Sequence, residues 1–152
     1  MIMKRDYLTL EEIKAFTGDN DFYIRKWQKY THNKWFKGWN WNPFFFPIEW
    51  MFFRRLYLEA ITIYFGRILL MLLAIIINSE LLYSLTDFVF RGLLSLVAIF
   101  GNGLYFRKGL RIVNKYTELS KDELLAQLKK DGGNSWIAVF VILAIEIVLF
   151  LL

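Results

Sequence analysis

The sequence predicts an all-α integral membrane protein with three transmembrane helices, an aromatic interfacial or re-entrant segment and short cytoplasmic helices. Three observations predict this class. The 152 residues are 57% hydrophobic with a mean hydropathy of +0.35, which is too apolar for an ordinary soluble domain of this length. Three apolar stretches are long enough to span a bilayer, and basic residues flank them on alternating sides.

The three predicted spans cover residues 56–78, 87–106 and 135–152. The first would reach about 33 Å as a helix, which is enough to cross a hydrocarbon core of about 30 Å. The second follows a lead at 79–86 that is typical of a turn. The third has 18 residues, which is near the lower limit for spanning.

The distribution of Lys and Arg orients these spans. Residues 1–55 contain ten Lys or Arg and residues 107–134 contain seven, whereas residues 79–86 contain none. Positively charged flanks are retained in the cytoplasm, so we expect the N-terminus and the 107–134 loop to be cytoplasmic. The 79–86 loop and the C-terminus would then face outward. The first residues carry charges of both signs, and we expect no cleavable signal peptide.

The predicted organisation is a cytoplasmic helical region at 1–38, the aromatic segment at 39–55, a two-span hairpin at 56–106, a cytoplasmic basic loop at 107–134 and the third span. Two capping-box patterns predict the starts of two short helices: Thr9 with Glu12, and Ser120 with Glu123. The glycines after Asp131 predict the end of the second of these helices.

A further helix is predicted after Asn20. Its apolar side chains, Phe22, Ile24, Trp27 and Tyr30, indicate an amphipathic helix. Two placements are open: a helix on the membrane surface, or a helical hairpin packed on the rest of the protein.

Residue types that carry chemistry are scarce. The chain has no cysteine, and its one histidine, His32, lies in a polar connection, where a solvated role is expected. We therefore predict no catalytic residue, no metal site and no cofactor. Membrane topology and attraction to anionic lipids account for the net charge of +5, so no nucleic-acid partner is expected.

Polar side chains inside the predicted spans need an explanation, because placing an ionisable group in a bilayer costs free energy. They are Glu59, Arg67, Arg91, Asn102 and Glu146. Arg67 and Glu146 each lie eleven residues past the cytoplasmic start of their span, at a depth of about 16 Å, which predicts an ion pair between spans one and three.

Other placements of these groups follow from spacing. Arg91 would join the pair or extend to the outer surface, and Glu59 would share a helix face with Arg55. The groups would fix helix register, form a proton or ion path, or contact another subunit.

The aromatic segment reads "WNWNPFFFPIEWMFFRRLY" from Trp39 to Tyr57. Pro43 and Pro47 interrupt a regular helix, and tryptophan favours the membrane interface, so we predict an interfacial or re-entrant segment with its arginines at the headgroups. The candidate contact residues are Trp39, Asn40, Trp41, Phe44, Phe45, Phe46, Trp50, Arg54, Arg55 and Tyr57.

This segment resembles the signature of an uncharacterised bacterial membrane family, the domain of unknown function 2628 family. The stretches "FTGDNDFYIRKW" at 16–27 and "GNGLYFRK" at 101–108 are similar to two further motifs of that family. Pro47 and Ile48 depart from its Gly-Pro, and Phe22 replaces a tyrosine. The resemblance implies a helical, multi-pass protein of the bacterial cytoplasmic membrane, and it brings no known activity.

Three functions are weighed. The first is a non-enzymatic accessory or scaffold protein that contacts a membrane-protein partner or a second copy through its aromatic segment. The second is a component of a small-solute or ion transport assembly that uses the intramembrane Arg and Glu residues. The third is a lipid-directed membrane enzyme, which would use the polar groups near the interface: Asn40, Asn42, Glu49, Arg54, Arg55 and Glu59.

Overall fold

The computed structural model describes residues 5–29 and 38–151, so that the predictions made for Tyr30 and His32 lie outside the described residues. Within these ranges the protein is helical and contains no strand. The helices are α1 (Leu10–Thr17), α2 (Asp21–Lys29), α3 (Trp41–Phe45), α4 (Pro47–Phe53), α5 (Tyr57–Ile76), α6 (Glu80–Lys115), α7 (Lys121–Asp131) and α8 (Trp136–Leu151).

Both predicted capping boxes are present. The Thr9 hydroxyl accepts a hydrogen bond from the Glu12 amide at the start of α1, and Ser120 does the same for Glu123 at the start of α7. Each box satisfies two amides that a helix start leaves without an internal partner. α7 ends at Asp131 before Gly132, as predicted.

The N-terminal helices form a hairpin that packs on the rest of the protein. Tyr23 and Trp27 of α2 are fully buried, whereas Phe22 is 44% exposed. Helix α1 packs on α7. The hairpin placement is therefore confirmed, and the prediction that Phe22 belongs to the apolar face is wrong because Tyr23 takes that position.

Three helical stretches are long and apolar enough to cross a membrane: Tyr57–Ile76, Glu80–Lys115 and Lys121–Val148. The first agrees with the predicted span 56–78. The third is interrupted at 132–135, between α7 and α8, so that its apolar part is α8. This agrees with the predicted span 135–152.

The second stretch is longer than predicted. Helix α6 has 36 residues and begins at Glu80, so the expected turn at 79–86 and part of the expected loop after 106 are helical. The Ser79 hydroxyl accepts from the Leu82 amide and caps this earlier start. The chain reverses instead at Asn78, whose φ of 52° is left-handed, a conformation that Asn tolerates better than most residues.

Helix packing places the aromatic segment beside α8. α5 packs on α6, whereas α8 packs on α4. The Ser135 amide donates to the Phe53 carbonyl at 2.9 Å, and the rings of Phe53 and Trp136 lie 4.9 Å apart. α8 therefore starts where α4 ends, and not against α5 as the predicted ion pair required.

Candidate functional site

Two of the three sequence motifs, at 16–27 and 101–108, meet in one buried aromatic cluster. It is formed by Phe16, Tyr23, Trp27, Tyr105 and Phe106, all at most 1% exposed. The Tyr105 ring lies 4.7 Å from Phe16, 5.3 Å from Tyr23 and 5.4 Å from Trp27. These separations and tilted orientations are those that aromatic side chains favour. The motifs therefore build a core, since their large side chains face each other.

The polar end of Tyr105 is also satisfied inside the protein. Its hydroxyl lies 3.2 Å from the Phe16 carbonyl and 3.3 Å from the Gly133 carbonyl. Gly132 makes this approach feasible, because a Cβ at that position would lie 2.2 Å from the Phe16 carbonyl oxygen. The α1 end and the α7 end thus close over the cluster.

Arg54 enters the same cluster from the end of α4. Its residue is 6% exposed, and its guanidinium carbon lies 4.6 Å from the centre of the Tyr23 ring and 5.3 Å from that of Tyr105. It donates a hydrogen bond to the Asn134 side chain, and its Nε has no hydrogen-bond partner. Burial raises the pKa of Tyr23, so the phenol stays neutral and presents its ring to the cation.

The prediction that Arg54 lies at the lipid headgroups is therefore wrong. Arg54 is buried beside the aromatic cluster because cation–π contacts and a hydrogen bond to Asn134 replace water around its guanidinium. Arg55 follows with a φ of 56° and donates to the Lys130 carbonyl. It precedes α5, so it does not share a helix face with Glu59 as predicted.

Asn40 and Asn102 join two of the motifs. Asn40 Nδ2 donates to Asn102 Oδ1 at 3.0 Å, and both side chains are buried. Asn40 Oδ1 accepts from the Asn42 amide and caps α3, while the Asn40 amide donates to the Ala98 carbonyl. A buried amide needs such partners, so this pair fixes the aromatic segment against α6.

Gly101 has a related role next to this pair. A Cβ there would lie 2.9 Å from the ring of Trp50. The absence of a side chain therefore lets the Trp50 ring lie against α6. Trp50 is 5% exposed and Asn40 is 8% exposed, so their prediction as surface contacts is wrong.

The remaining aromatic residues of the segment form an exposed aromatic surface. It consists of Trp39, Trp41, Phe44, Phe45 and Phe46, which are 39% to 63% exposed. The Trp39 ring lies 5.3 Å from Trp41 and 4.9 Å from Phe44. Tyr57, also predicted as a contact, is 37% exposed at the start of α5.

The predicted ion pair between Arg67 and Glu146 is wrong. Arg67 Nη2 lies 3.3 Å from Asp87 Oδ1, and Arg91 Nε lies 2.7 Å from Asp87 Oδ2. Asp87 of α6 therefore pairs with both arginines. Arg91 thus lies next to Arg67, which was one of the two placements predicted for it. The spacing of four residues between Asp87 and Arg91 was the signal that could have identified it.

Glu146 lies on α8, which packs on α4, the helix that carries Glu49. Glu59 finds another partner: its Oε1 lies 2.8 Å from Arg111 Nη2 of α6.

The described part of the chain contains no group of three or more His, Asp or Glu side chains that could hold a metal ion. The clustered motif residues are aromatic rings, amides and a guanidinium. Their arrangement supports packing and hydrogen bonding, and it presents no nucleophile next to a base.

The family model described as "Protein of unknown function (DUF2628)" matches residues 9–111, which is more than half of the chain. No curated protein and no solved structure matches the sequence. The matched range includes the buried aromatic cluster, the Asn40–Asn102 pair and the exposed aromatic surface.

Proposed function

This chain belongs to the family of proteins of unknown function called DUF2628, and from this premise we propose that it is a non-enzymatic accessory or scaffold protein of the bacterial cytoplasmic membrane. We propose further that α5, α6 and α8 cross the membrane with the N-terminal hairpin in the cytoplasm, since the basic residues flank the spans on that side. Its working surface would be the exposed aromatic surface, which contacts a membrane-protein partner or a second copy.

The observation that carries this proposal is the division of the motif residues into two sets. The polar motif side chains, Asn40, Asn102 and Arg54, are buried and bond within the chain. The aromatic residues from Trp39 to Phe46 are exposed instead, with Trp41 at 62% and Phe45 at 63%. An exposed patch of clustered aromatic side chains marks a protein or membrane contact.

Asn40 supports the same proposal. Because it is bonded to Asn102 and caps α3, the exposed aromatic surface is held on a fixed backbone rather than on a free loop. A preorganised surface loses less conformational entropy when a partner binds.

The test is photo-crosslinking in living cells, with a photoreactive phenylalanine analogue placed at Phe45 and, as a matched control, at Phe88. Phe88 is 76% exposed on α6 and lies outside the three motifs. We expect a discrete adduct from position 45, with a defined protein or with a second copy of the chain, and none of the same mass from position 88. Adducts only with lipid at position 45, together with a monomeric mass in mild detergent, would contradict the proposal.

A second function, a transport component, is favoured by one observation. Glu49 of α4 and Glu146 of α8 lie on helices that pack together, and carboxylates inside a membrane bind protons or cations. Reconstituted vesicles would then show a proton or cation flux that Glu146→Gln abolishes. Equal flux in protein-free vesicles would remove this candidate.

A further inference from the structure

A cationic pocket lies beside the start of α5. Its cavity of about 390 Å³ is lined by four basic side chains, Arg55, Lys108, Arg111 and Lys115. Two acidic side chains, Glu59 and Asp131, also line it. The basic groups outnumber the acidic ones, so the pocket favours an anion.

The acidic groups are already engaged. Glu59 is paired with Arg111 at 2.8 Å, and Asp131 accepts a hydrogen bond from Gln127 at 2.6 Å. Lys108 donates to the Arg55 carbonyl at 2.9 Å, so its charge is not neutralised by that contact. The Nε of Arg55 is buried without a hydrogen-bond partner. The guanidinium of Arg111 is exposed, and guanidinium donors match the oxygens of a phosphate group.

An apolar groove lies further along α5, from Ile61 to Ile68. It has a volume of about 380 Å³ and separates α5 from α8. Every side chain lining it is aliphatic or aromatic: Phe52, Ile61, Tyr64, Phe65, Ile68, Ile142 and Ile145.

The cationic pocket and the apolar groove are joined by two aromatic rings. Tyr57 lines the cationic pocket, Phe52 lines the apolar groove, and their ring centres lie 5.7 Å apart. The groove extends along α5 as far as Ile68, about 16 Å from Tyr57 at the rise of an α-helix. A ligand that fills both parts therefore has a phosphate at one end and an apolar chain of that length at the other.

We propose that the cationic pocket and the apolar groove together form a binding site for one anionic phospholipid of the cytoplasmic leaflet. Its phosphate binds Arg111 and Lys115 within the pocket, and one acyl chain lies between α5 and α8. A free phosphate would leave the groove unfilled, and a partner helix would leave the basic side chains without counter-charges. This site is separate from the exposed aromatic surface, and its placement in the cytoplasmic leaflet rests on the membrane orientation proposed above.

The test is lipid titration of the detergent-purified full chain, followed by native mass spectrometry. Phosphatidylglycerol and phosphatidylcholine with the same acyl chains are compared, together with glycerol 3-phosphate as a headgroup without a tail. We expect one phosphatidylglycerol bound at least about tenfold more tightly than phosphatidylcholine, because each basic group near an anionic headgroup contributes about 1 kcal/mol.

Two pairs of variants separate the head from the tail. Arg111→Gln with Lys115→Gln removes two exposed pocket charges and should weaken phosphatidylglycerol binding about tenfold or more. Its control, Lys14→Gln with Arg25→Gln, removes the same number of charges from the N-terminal hairpin and should change nothing. Ile145→Trp fills the groove and should weaken binding of both lipids, whereas Ile147→Trp, on the exposed side of α8, should not.

Three results would overturn the proposal. One is equal affinity for the two lipids. Another is the same loss of binding in the Lys14 and Arg25 control as in the pocket variant. The third is full displacement of phosphatidylglycerol by equimolar glycerol 3-phosphate, which would make the ligand a free phosphate ester.

Discussion

The protein contains two clusters of aromatic side chains with opposite environments. The buried aromatic cluster combines Phe16, Tyr23 and Trp27 of the N-terminal hairpin with Tyr105 and Phe106 of α6, all of them closed off from the surface. The exposed aromatic surface, between Trp39 and Phe46, contains the same residue types, and its rings contact each other while facing outward.

The two clusters contain the same residue types, so aromatic composition alone does not decide which of them becomes a core. Around the buried aromatic cluster, the Tyr105 hydroxyl and the Arg54 guanidinium both have partners within the chain. The exposed aromatic surface is tied to α6 through Asn40, at its edge. Its rings are left available for lipid or protein.

The largest expected effect comes from removing a ring of the buried aromatic cluster. Trp27→Ala should lower the free energy of unfolding by about 3 to 5 kcal/mol, because it deletes a fully buried ring and leaves a cavity next to Tyr105 and Phe106. Chemical unfolding in detergent, followed by circular dichroism, measures it. A loss below about 1 kcal/mol would contradict the assignment of Trp27 to the core.

The next effect concerns a clamp at the start of α1, the ion pair between Arg5 and Glu12. Arg5 Nη1 and Nη2 each donate to a different oxygen of Glu12 at 2.8 Å. Burial raises the pKa of Glu12, but the hydrogen bonds from Arg5 and Thr9 outweigh it, and the pKa in the folded protein lies below the usual 4.5.

An acid whose pKa is lower in the folded protein than in the unfolded chain stabilises the fold at any pH above its unfolded-state pKa. This stabilisation is lost as the pH falls through the folded-state pKa. We therefore expect Glu12→Gln to cost about 1.5 to 3 kcal/mol near pH 7 and less below pH 4. Unfolding curves at several pH values measure the difference. Glu118→Gln, on the exposed α6–α7 connection, is the control, and a cost for Glu12→Gln that does not change with pH would contradict the clamp.

Much of the fold could be predicted from the sequence. Long apolar runs predicted the helices α5 and α8, because a helix that crosses a bilayer must be long and hydrophobic over a continuous segment. The capping boxes at Thr9 and Ser120 predicted helix starts because their hydrogen bonds involve residues only three apart.

The partners across the fold could not be predicted in the same way. The depth argument placed Arg67 and Glu146 at equal heights, but height says nothing about which helices are neighbours. In the structure α8 packs on α4, which does not carry Arg67, while Arg67 pairs with Asp87 of α6. The role of Tyr105 was missed for a similar reason, because its neighbours Phe16 and Trp27 lie more than 70 positions away in sequence.

The Asn40–Asn102 pair allows a direct test of how the exposed aromatic surface is held. Asn102→Ala should cost about 1 to 3 kcal/mol, because it leaves the buried Asn40 amide without its acceptor. A double-mutant cycle with Asn40→Ala should show coupling, so that the double variant loses less than the sum of the two single variants. Strict additivity would mean that the two side chains act independently.

A smaller coupling is expected between α5 and α6 at Asp87. The cycle of Arg67→Met with Asp87→Asn should give a coupling energy of about 0.6 to 1.7 kcal/mol, the range for polar contacts between membrane helices. The matched cycle of Arg67→Met with Glu146→Gln should give a coupling near zero. Coupling of the second pair and not of the first would reverse the assignment, and both are measured by unfolding in detergent.

The smallest effect on stability is expected from removing a ring of the exposed aromatic surface. Trp41→Ala removes a ring as large as that of Trp27, but Trp41 is 62% exposed. Among the described residues its ring packs against Trp39, Phe44 and Phe45 of its own segment. We expect a change in the free energy of unfolding within about 0.5 kcal/mol. The same substitution should lower the yield of the crosslinked adduct from position 45. If Trp41→Ala cost as much stability as Trp27→Ala, the exposed aromatic surface would be part of the core in solution, and a contact role would lose its physical basis.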